Sequence, residues 1–123
     1  MPYIHKWKET GVIREFSGAI NAAQVLNSNL ELHAHKRFND IDYVLNDFTA
    51  ATEIVIAAEQ TTAFATTDEM VALTKGELKI AIVISNAFLP AALAYQKQMI
   101  DSSFTCLIFE AISEAEQWCL TSK

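Results

Sequence analysis

Glycine, proline and cysteine are scarce in this sequence. Its 123 residues include three glycines and two prolines. The glycines, at positions 11, 18 and 76, are too far apart for a glycine-rich phosphate loop of the dinucleotide or P-loop pattern. Two cysteines, Cys106 and Cys119, form no CxxC motif and are too few for a disulfide scaffold. The sequence therefore predicts no nucleotide cofactor and no disulfide framework.

Positive charge is also limited. Nine lysines and arginines stand against fifteen aspartates and glutamates, a net charge of −6. Binding to a nucleic-acid backbone requires an excess of cationic side chains, so we predict no nucleic-acid partner. The longest aliphatic runs, at 54–58 and 80–84, are too short to cross a bilayer, and the N-terminal segment lacks the apolar core of a signal peptide. We expect a cytoplasmic protein without membrane insertion.

What the chain does contain is enough apolar material for a core. Hydrophobic residues make up 51% of the sequence and charged residues 20%, a composition typical of globular proteins. No repeat, low-complexity tract or linker divides the chain. Its length suits one compact domain, so we predict a single domain over residues 1–123.

Hydrophobic patterns predict strands that alternate with helices. The predicted strands cover 3–8, 12–16, 42–48, 79–84 and 105–109, and the predicted helices cover 22–34, 57–74, 88–100 and a final segment from 113. The glycine in the turn at 9–11 predicts that the first two strands pair antiparallel. The order ββαβαβαβα predicts an α/β fold with a mixed, mostly parallel sheet and helices on both of its faces.

Three helix starts have capping signals. Asn21 and Gln24 have the spacing of a capping box at the first helix, and Ser113 and Glu116 have it at the last. Ser85 or Asn86 is predicted to cap the third helix.

Four segments carry a resemblance to a known family. They are GVIREFSG at 11–18, RFNDIDYVLNDF at 37–48, KIAIV at 79–83 and EAEQW at 114–118. Together with the element order, they resemble the SpoIIAA-like branch of the STAS family, the fold of bacterial anti-sigma-factor antagonists. The resemblance covers residues 7–120 and implies a single-domain, non-enzymatic module of regulation and protein interaction or, alternatively, of small-ligand sensing. The wider fold group also includes relatives of the Sec14 lipid-binding domain.

One departure from that family concerns its regulatory switch. Classical antagonists carry a phosphorylatable serine in a turn after the central strand. Here the corresponding segment, NDFTAATE at 46–53, contains neither serine nor glycine. The resemblance therefore implies a module without the usual phosphorylation site.

The carboxyl ends of parallel strands are the usual ligand edge of an open α/β sheet. Polar residues that follow the predicted strands gather there, and they give the candidate partner or ligand site: Asn46, Asp47, Phe48, Thr49, Ser85 and Asn86, with Glu110 beside them. The alternative is that Asp47, Ser85 and Asn86 only cap the turns and helices that follow.

Other candidate chemistry is weaker. His33 and His35 form an H-x-H pair, but on a helix they face apart, and a role at the helix end is favoured over a metal site. No nucleophile motif is present, so no catalytic residue is predicted. We expect a homodimer or a protein partner. The alternative is a small apolar, lipid-like ligand bound between the second or third helix and the sheet, with this lining: Phe64, Met70, Phe88, Leu89 and Met99.

Overall fold

The computed structural model describes residues 2–121 and contains five strands and four helices within them. The strands are β1 (Tyr3–Trp7), β2 (Gly11–Asn21), β3 (Tyr43–Val55), β4 (Leu78–Val83) and β5 (Phe104–Phe109). The helices are α1 (Ala22–Ala34), α2 (Thr61–Lys75), α3 (Leu89–Gln98) and α4 (Ile112–Leu120). The predicted α/β class and the order ββαβαβαβα are confirmed.

The five strands form one sheet in the order β1-β2-β3-β4-β5. β1 and β2 pair antiparallel, as predicted, and the other neighbouring pairs are parallel. Right-handed crossovers that step across a sheet in one direction place their helices on the same face. α1, α2 and α3 accordingly cover one face, and α4 covers the other.

Both central strands are longer than predicted. β2 runs on to Asn21 and β3 to Val55, so the two strands extend as a paired ribbon beyond the last residue of β4. Two register shifts each insert an extra residue into β3, and Gly18 of β2 has φ 74° beside the second shift. Residues 46–49, predicted to end the strand, lie in its interior instead.

The capping predictions have mixed outcomes. The Asn21 and Gln24 capping box is present, with Gln24 N donating to Asn21 Oδ1 over 3.0 Å and Asn21 N donating to Gln24 Oε1 over 2.9 Å. α4 instead begins at Ile112 without a side-chain cap, so the capping box at Ser113 was wrong. Neither Ser85 nor Asn86 caps α3, because a 3-10 turn at Asn86–Phe88 precedes that helix.

The two faces of the sheet are packed differently. On one face, α4 lies directly on β3 and β4 and buries Ala115 and Cys119 against Leu45 and Val83. On the other face, α2 packs mainly against α1 and α3 rather than against the strands below it. A cavity therefore remains between α2 and the strands. None of the helices in residues 2–121 is long and apolar enough to span a membrane.

Candidate functional site

The six residues of the predicted site do not form one cluster. Strand alternation places Asn46 and Phe48 on the face covered by α1, α2 and α3, and Asp47 on the face of α4. Thr49 is exposed and donates to Asp47 Oδ1 from its backbone N over 2.9 Å and from Oγ1 over 2.7 Å. Asp47 therefore fixes the local turn of β3 at the first register shift.

Ser85 and Asn86 follow β4 and are exposed, as is Glu110 after β5. None of these three lines the cavity that Asn46 and Phe48 line. Their part in a partner site stays a prediction.

A cavity of about 80 Å³ lies between the sheet and α2. Its walls are mostly aliphatic and aromatic, with side chains from the sheet, α1, α2 and α3: Val25, Leu32, Phe38, Val44, Phe48, Ile54, Ile56, Phe64, Leu78, Ile80, Ile82, Ile84, Ala91 and Ala92. Phe48, Ile54 and Ile56 are partly exposed and form the outer end, near the start of α2. Val44 and Ile80 are buried at the inner end.

Arg14 of β2 is the charged side chain that reaches this cavity from the sheet. Only 7% of the residue is exposed. Its Nε donates to Asn46 Oδ1 over 2.6 Å, and its Nη1 donates to Asn29 Oδ1 over 2.5 Å and to Ser28 Oγ over 3.1 Å. Asn46 Nδ2 donates in turn to the Ala81 carbonyl over 3.2 Å, which orients Oδ1 toward Arg14.

Burial sets the electrostatics of this end of the cavity. Removal from water lowers the pKa of the Arg14 guanidinium from its ordinary value, although the negative charge of Asp68 opposes the change. His5 of β1 lies close by, with Nε2 2.8 Å from Ser28 Oγ, and burial followed by the charge of Arg14 lowers its pKa. The region therefore holds a permanent cation surrounded by neutral hydrogen-bonding groups.

A second group of polar side chains at the cavity comes from the three helices. Asp68 of α2 is buried; its Oδ1 lies 2.9 Å from His33 Nε2 of α1, and its Oδ2 accepts a hydrogen bond from Tyr95 of α3. Burial and then the neighbouring carboxylate raise the pKa of Tyr95 well above its ordinary value, so the phenol stays protonated and donates. All three side chains line the cavity.

Sequence reasoning missed these polar groups. His33 lies in the last turn of α1, as expected. The prediction that its side chain interacts with the terminal carbonyls was wrong, because the imidazole pairs with Asp68 instead. The sequence did contain an indication of the Arg14 site. In β2, Val12, Arg14 and Phe16 occupy every second position and so lie on the same buried face. A charged residue between two core positions of a strand marks a buried polar site.

The lining predicted for an apolar ligand is partly wrong. Phe64 does line the cavity. Met70 is 67% exposed, because the inward face of α2 carries Asp68 and Ala72 instead. Phe88 and Leu89 are partly buried outside the cavity, and Met99 belongs to the packed core.

The cysteines are buried and free. Burial raises the pKa of both thiols to about 12. His35 stacks on Trp7 with ring centroids 4.1 Å apart. Within the part of the chain that the structure describes, no group of three His, Cys, Asp or Glu side chains is arranged to hold a metal ion.

Comparison with known proteins adds one similarity of shape. No family model and no curated protein matches the sequence. Among solved structures, this chain is similar to the crystal structure of an uncharacterised protein of the DUF3478 family, with a SpoIIAA-like fold, from Shewanella loihica PV-4. The two share 14% identity with a TM-score of 0.45, over 95% of this chain and 91% of the other.

Proposed function

We propose that this protein is a non-enzymatic, single-domain module that binds a small apolar molecule in the cavity between its sheet and α2. The observation that carries the proposal is the cavity itself, walled by apolar side chains and bordered by a few fixed polar groups. That combination is typical of small-molecule sites in proteins. Asn46 and Phe48 belong to this proposed site.

The contrast between the two sheet faces supports the proposal. α4 packs directly on the strands of its face. α2 instead packs on α1 and α3, to which the Asp68 hydrogen bonds tie it. These polar contacts therefore hold α2 in position above the cavity without close packing on the strands.

The size of the cavity limits the ligand. An apolar cavity of roughly 150 Å³ admits benzene, and a single water needs roughly 10–15 Å³. At about 80 Å³, the space exceeds a water site but encloses only the head or a short part of a ligand. We infer that the remainder extends toward the partly exposed side chains of Phe48 and Ile54.

The test uses 1-octanol as a neutral, apolar probe and methyl-labelled protein. We expect methyl resonances of Val44, Ile80 and Ile82, on the cavity face, to shift with saturation. Val83 lies on the α4 face and is the internal control, whose methyl resonances stay in place. Equal shifts on both faces, or no saturable shift, contradict the proposal.

A second candidate function is protein interaction, including formation of a homodimer. Met70 and Leu73 lie one turn apart on α2 and are 67% and 87% exposed, an apolar pair that a partner would cover. Four residues of the predicted site are further candidate contacts: Asp47, Thr49, Ser85 and Asn86. The free thiols of the cysteines agree with the cytoplasmic location proposed for such a module.

Light scattering across a range of concentrations tests self-association. A dimer that Met70→Gln and Leu73→Gln convert to a monomer supports this candidate. A monomer at all concentrations, together with a pull-down that recovers nothing dependent on those two residues, contradicts it.

A further inference from the structure

Arg14 is a buried cation without an ionic partner in the described chain. Its three hydrogen bonds go to Ser28, Asn29 and Asn46, all of them neutral. Within residues 2–121, the ion pairs at 4 Å or less are Lys6 with Glu15 and His33 with Asp68. Neither pair includes the Arg14 guanidinium. Arginine is almost never fully buried unless it is paired.

The cost of that burial is large. Taking a charged group out of water is unfavourable, and neutral hydrogen bonds offset the cost only in part. An anionic partner for Arg14 would offset more of it. The three acceptors fix the guanidinium in place and so preorganise it for a further partner.

Asp68 does not fill that role. Its charge acts on Arg14 from beyond ion-pair distance, and each of its carboxylate oxygens is already engaged, Oδ1 by His33 and Oδ2 by Tyr95. The negative charge of Asp68 is thus shared with two donors of its own. The cavity is therefore lined by a guanidinium whose hydrogen-bond partners are neutral and by a carboxylate whose oxygens are both satisfied.

The guanidinium also has donor capacity to spare. The bonds to protein acceptors use Nε and Nη1, and in residues 2–121 Nη2 has no protein acceptor. A guanidinium fork matches the two oxygens of a carboxylate. Among residues 2–121, no lysine lines the cavity to neutralise the second charge of a phosphate monoester, so a singly charged head group fits best.

We propose that the cavity selects a monocarboxylic acid with an aliphatic tail, whose carboxylate binds Arg14 and whose tail runs toward Phe48, Ile54 and Ile56. This inference rests on the proposed function, since it assigns a chemical class to the ligand of the same cavity. Arg14 is the specificity-determining residue of the site.

Isothermal titration calorimetry with three eight-carbon probes tests the inference: octanoate, 1-octanol and octylamine. With the unmodified protein, we expect octanoate to bind at least tenfold more tightly than 1-octanol, and octylamine to bind most weakly. Arg14→Gln should weaken octanoate binding at least tenfold and change 1-octanol binding less than threefold. Arg14→Lys, which keeps the charge but loses the fork, should give an intermediate loss.

The chain offers a matched control, because it contains one other arginine. Arg37 lies outside the cavity, with its guanidinium 5.6 Å from the ring centre of Trp7, so Arg37→Gln should leave both affinities unchanged. If Arg14→Gln fails to fold, side-chain Nε–H resonances of ¹⁵N-arginine in the unmodified protein replace it. Octanoate should then shift Arg14 and leave Arg37, whereas 1-octanol should shift neither.

The outcomes separate this inference from the proposed function. If none of the three probes binds, the apolar ligand site itself is wrong. If 1-octanol binds as tightly as octanoate, or if neither the Arg14 variant nor the Arg14 resonance responds to octanoate, the cavity binds apolar molecules without selecting an acid. In that case the inference fails while the proposed function stands.

Discussion

Asp68 and His33 join α2 to α1 through a buried contact of 2.9 Å between carboxylate and imidazole. Tyr95 extends the connection to α3 by donating to the second carboxylate oxygen. The three helices that cover one face of the sheet are therefore linked through a single aspartate. The stability of that layer depends on a polar contact as well as on apolar packing.

Replacing Asp68 with alanine should therefore destabilise the fold. Removing one partner of a buried pair costs about 3–5 kcal/mol, because the groups left behind lose their partner while remaining buried. Urea unfolding measures the change. Glu15→Ala is the control: its ion pair with Lys6 is exposed, and its loss should cost about 1 kcal/mol or less. Equal losses for the two variants would show that the Asp68 contact contributes no more than a surface pair.

Asn46 and Asn86 should respond differently to the same substitution. Asn46→Ala removes the acceptor of Arg14 Nε and should cost about 1–3 kcal/mol, since a buried donor attached to a charge is left unsatisfied. Asn86 is exposed, so Asn86→Ala should stay within about 0.5 kcal/mol. Urea unfolding of both variants distinguishes them. If Asn46→Ala left the free energy of unfolding unchanged, water would have replaced the lost acceptor.

Filling the cavity should separate ligand binding from stability. Ala92 of α3 lines the cavity, so the larger side chain of Ala92→Leu has space to occupy and should weaken 1-octanol binding at least tenfold while changing stability by less than about 1 kcal/mol. Ala115 of α4 is completely buried against the sheet, where Ala115→Leu should cost about 1–3 kcal/mol by overpacking. Thermal unfolding and calorimetry supply both readouts. Equal destabilisation by the two leucines would argue against usable space beside Ala92.

Alkaline pH should unfold the protein through its buried acids. The pKa of Cys106 rises from 9.0 in the unfolded chain to about 12 in the folded one, mainly by burial and then through Asp68. Because the raised value belongs to the folded state, this stabilisation is complete below pH 9 and is lost as pH rises toward 12. The slope reaches about 1.4 kcal/mol per pH unit for one group.

Cys106→Ala checks this assignment. In urea unfolding at a series of pH values, the variant should lose stability less steeply than the unmodified protein between pH 9 and 12. Below pH 8, the two curves should run parallel, whatever the constant offset from packing. Parallel curves over the whole range would rule out Cys106 as a contributor to alkaline unfolding.

The sequence was a good guide to the architecture because local patterns determine most of it. Hydrophobic patterns located the five strands and four helices of residues 2–121, whereas the capping signals were right only at α1, and the turn at Gly11 predicted the antiparallel pair. The second half of β3 had no such signal. Thr49 to Thr52 are polar or small, and they continue the strand because β2 lies alongside and pairs with them.

The cavity was much harder to predict, because its polar groups meet across long separations. Arg14 bonds to Asn46, 32 positions away, and Asp68 bonds to Tyr95, 27 positions away. The hydrophobic pattern also misassigned one residue of α2, since it predicted Met70 to line a ligand site, whereas Met70 is exposed and Asp68 is buried. The expectation that apolar residues face inward and charged residues outward fails where partners distant in the sequence compensate a buried charge.

The order of strands in the sheet has a consequence for folding. Every strand lies beside its neighbour in the sequence, so the sheet can grow by one strand and one helix at a time as the chain is synthesised. α4 is the last of the described helices to be made, and it alone covers Leu45, Ala81 and Val83 on the second face. Until residues 112–120 leave the ribosome, that face remains bare and open to aggregation. The chain is therefore most vulnerable just before its final described helix docks.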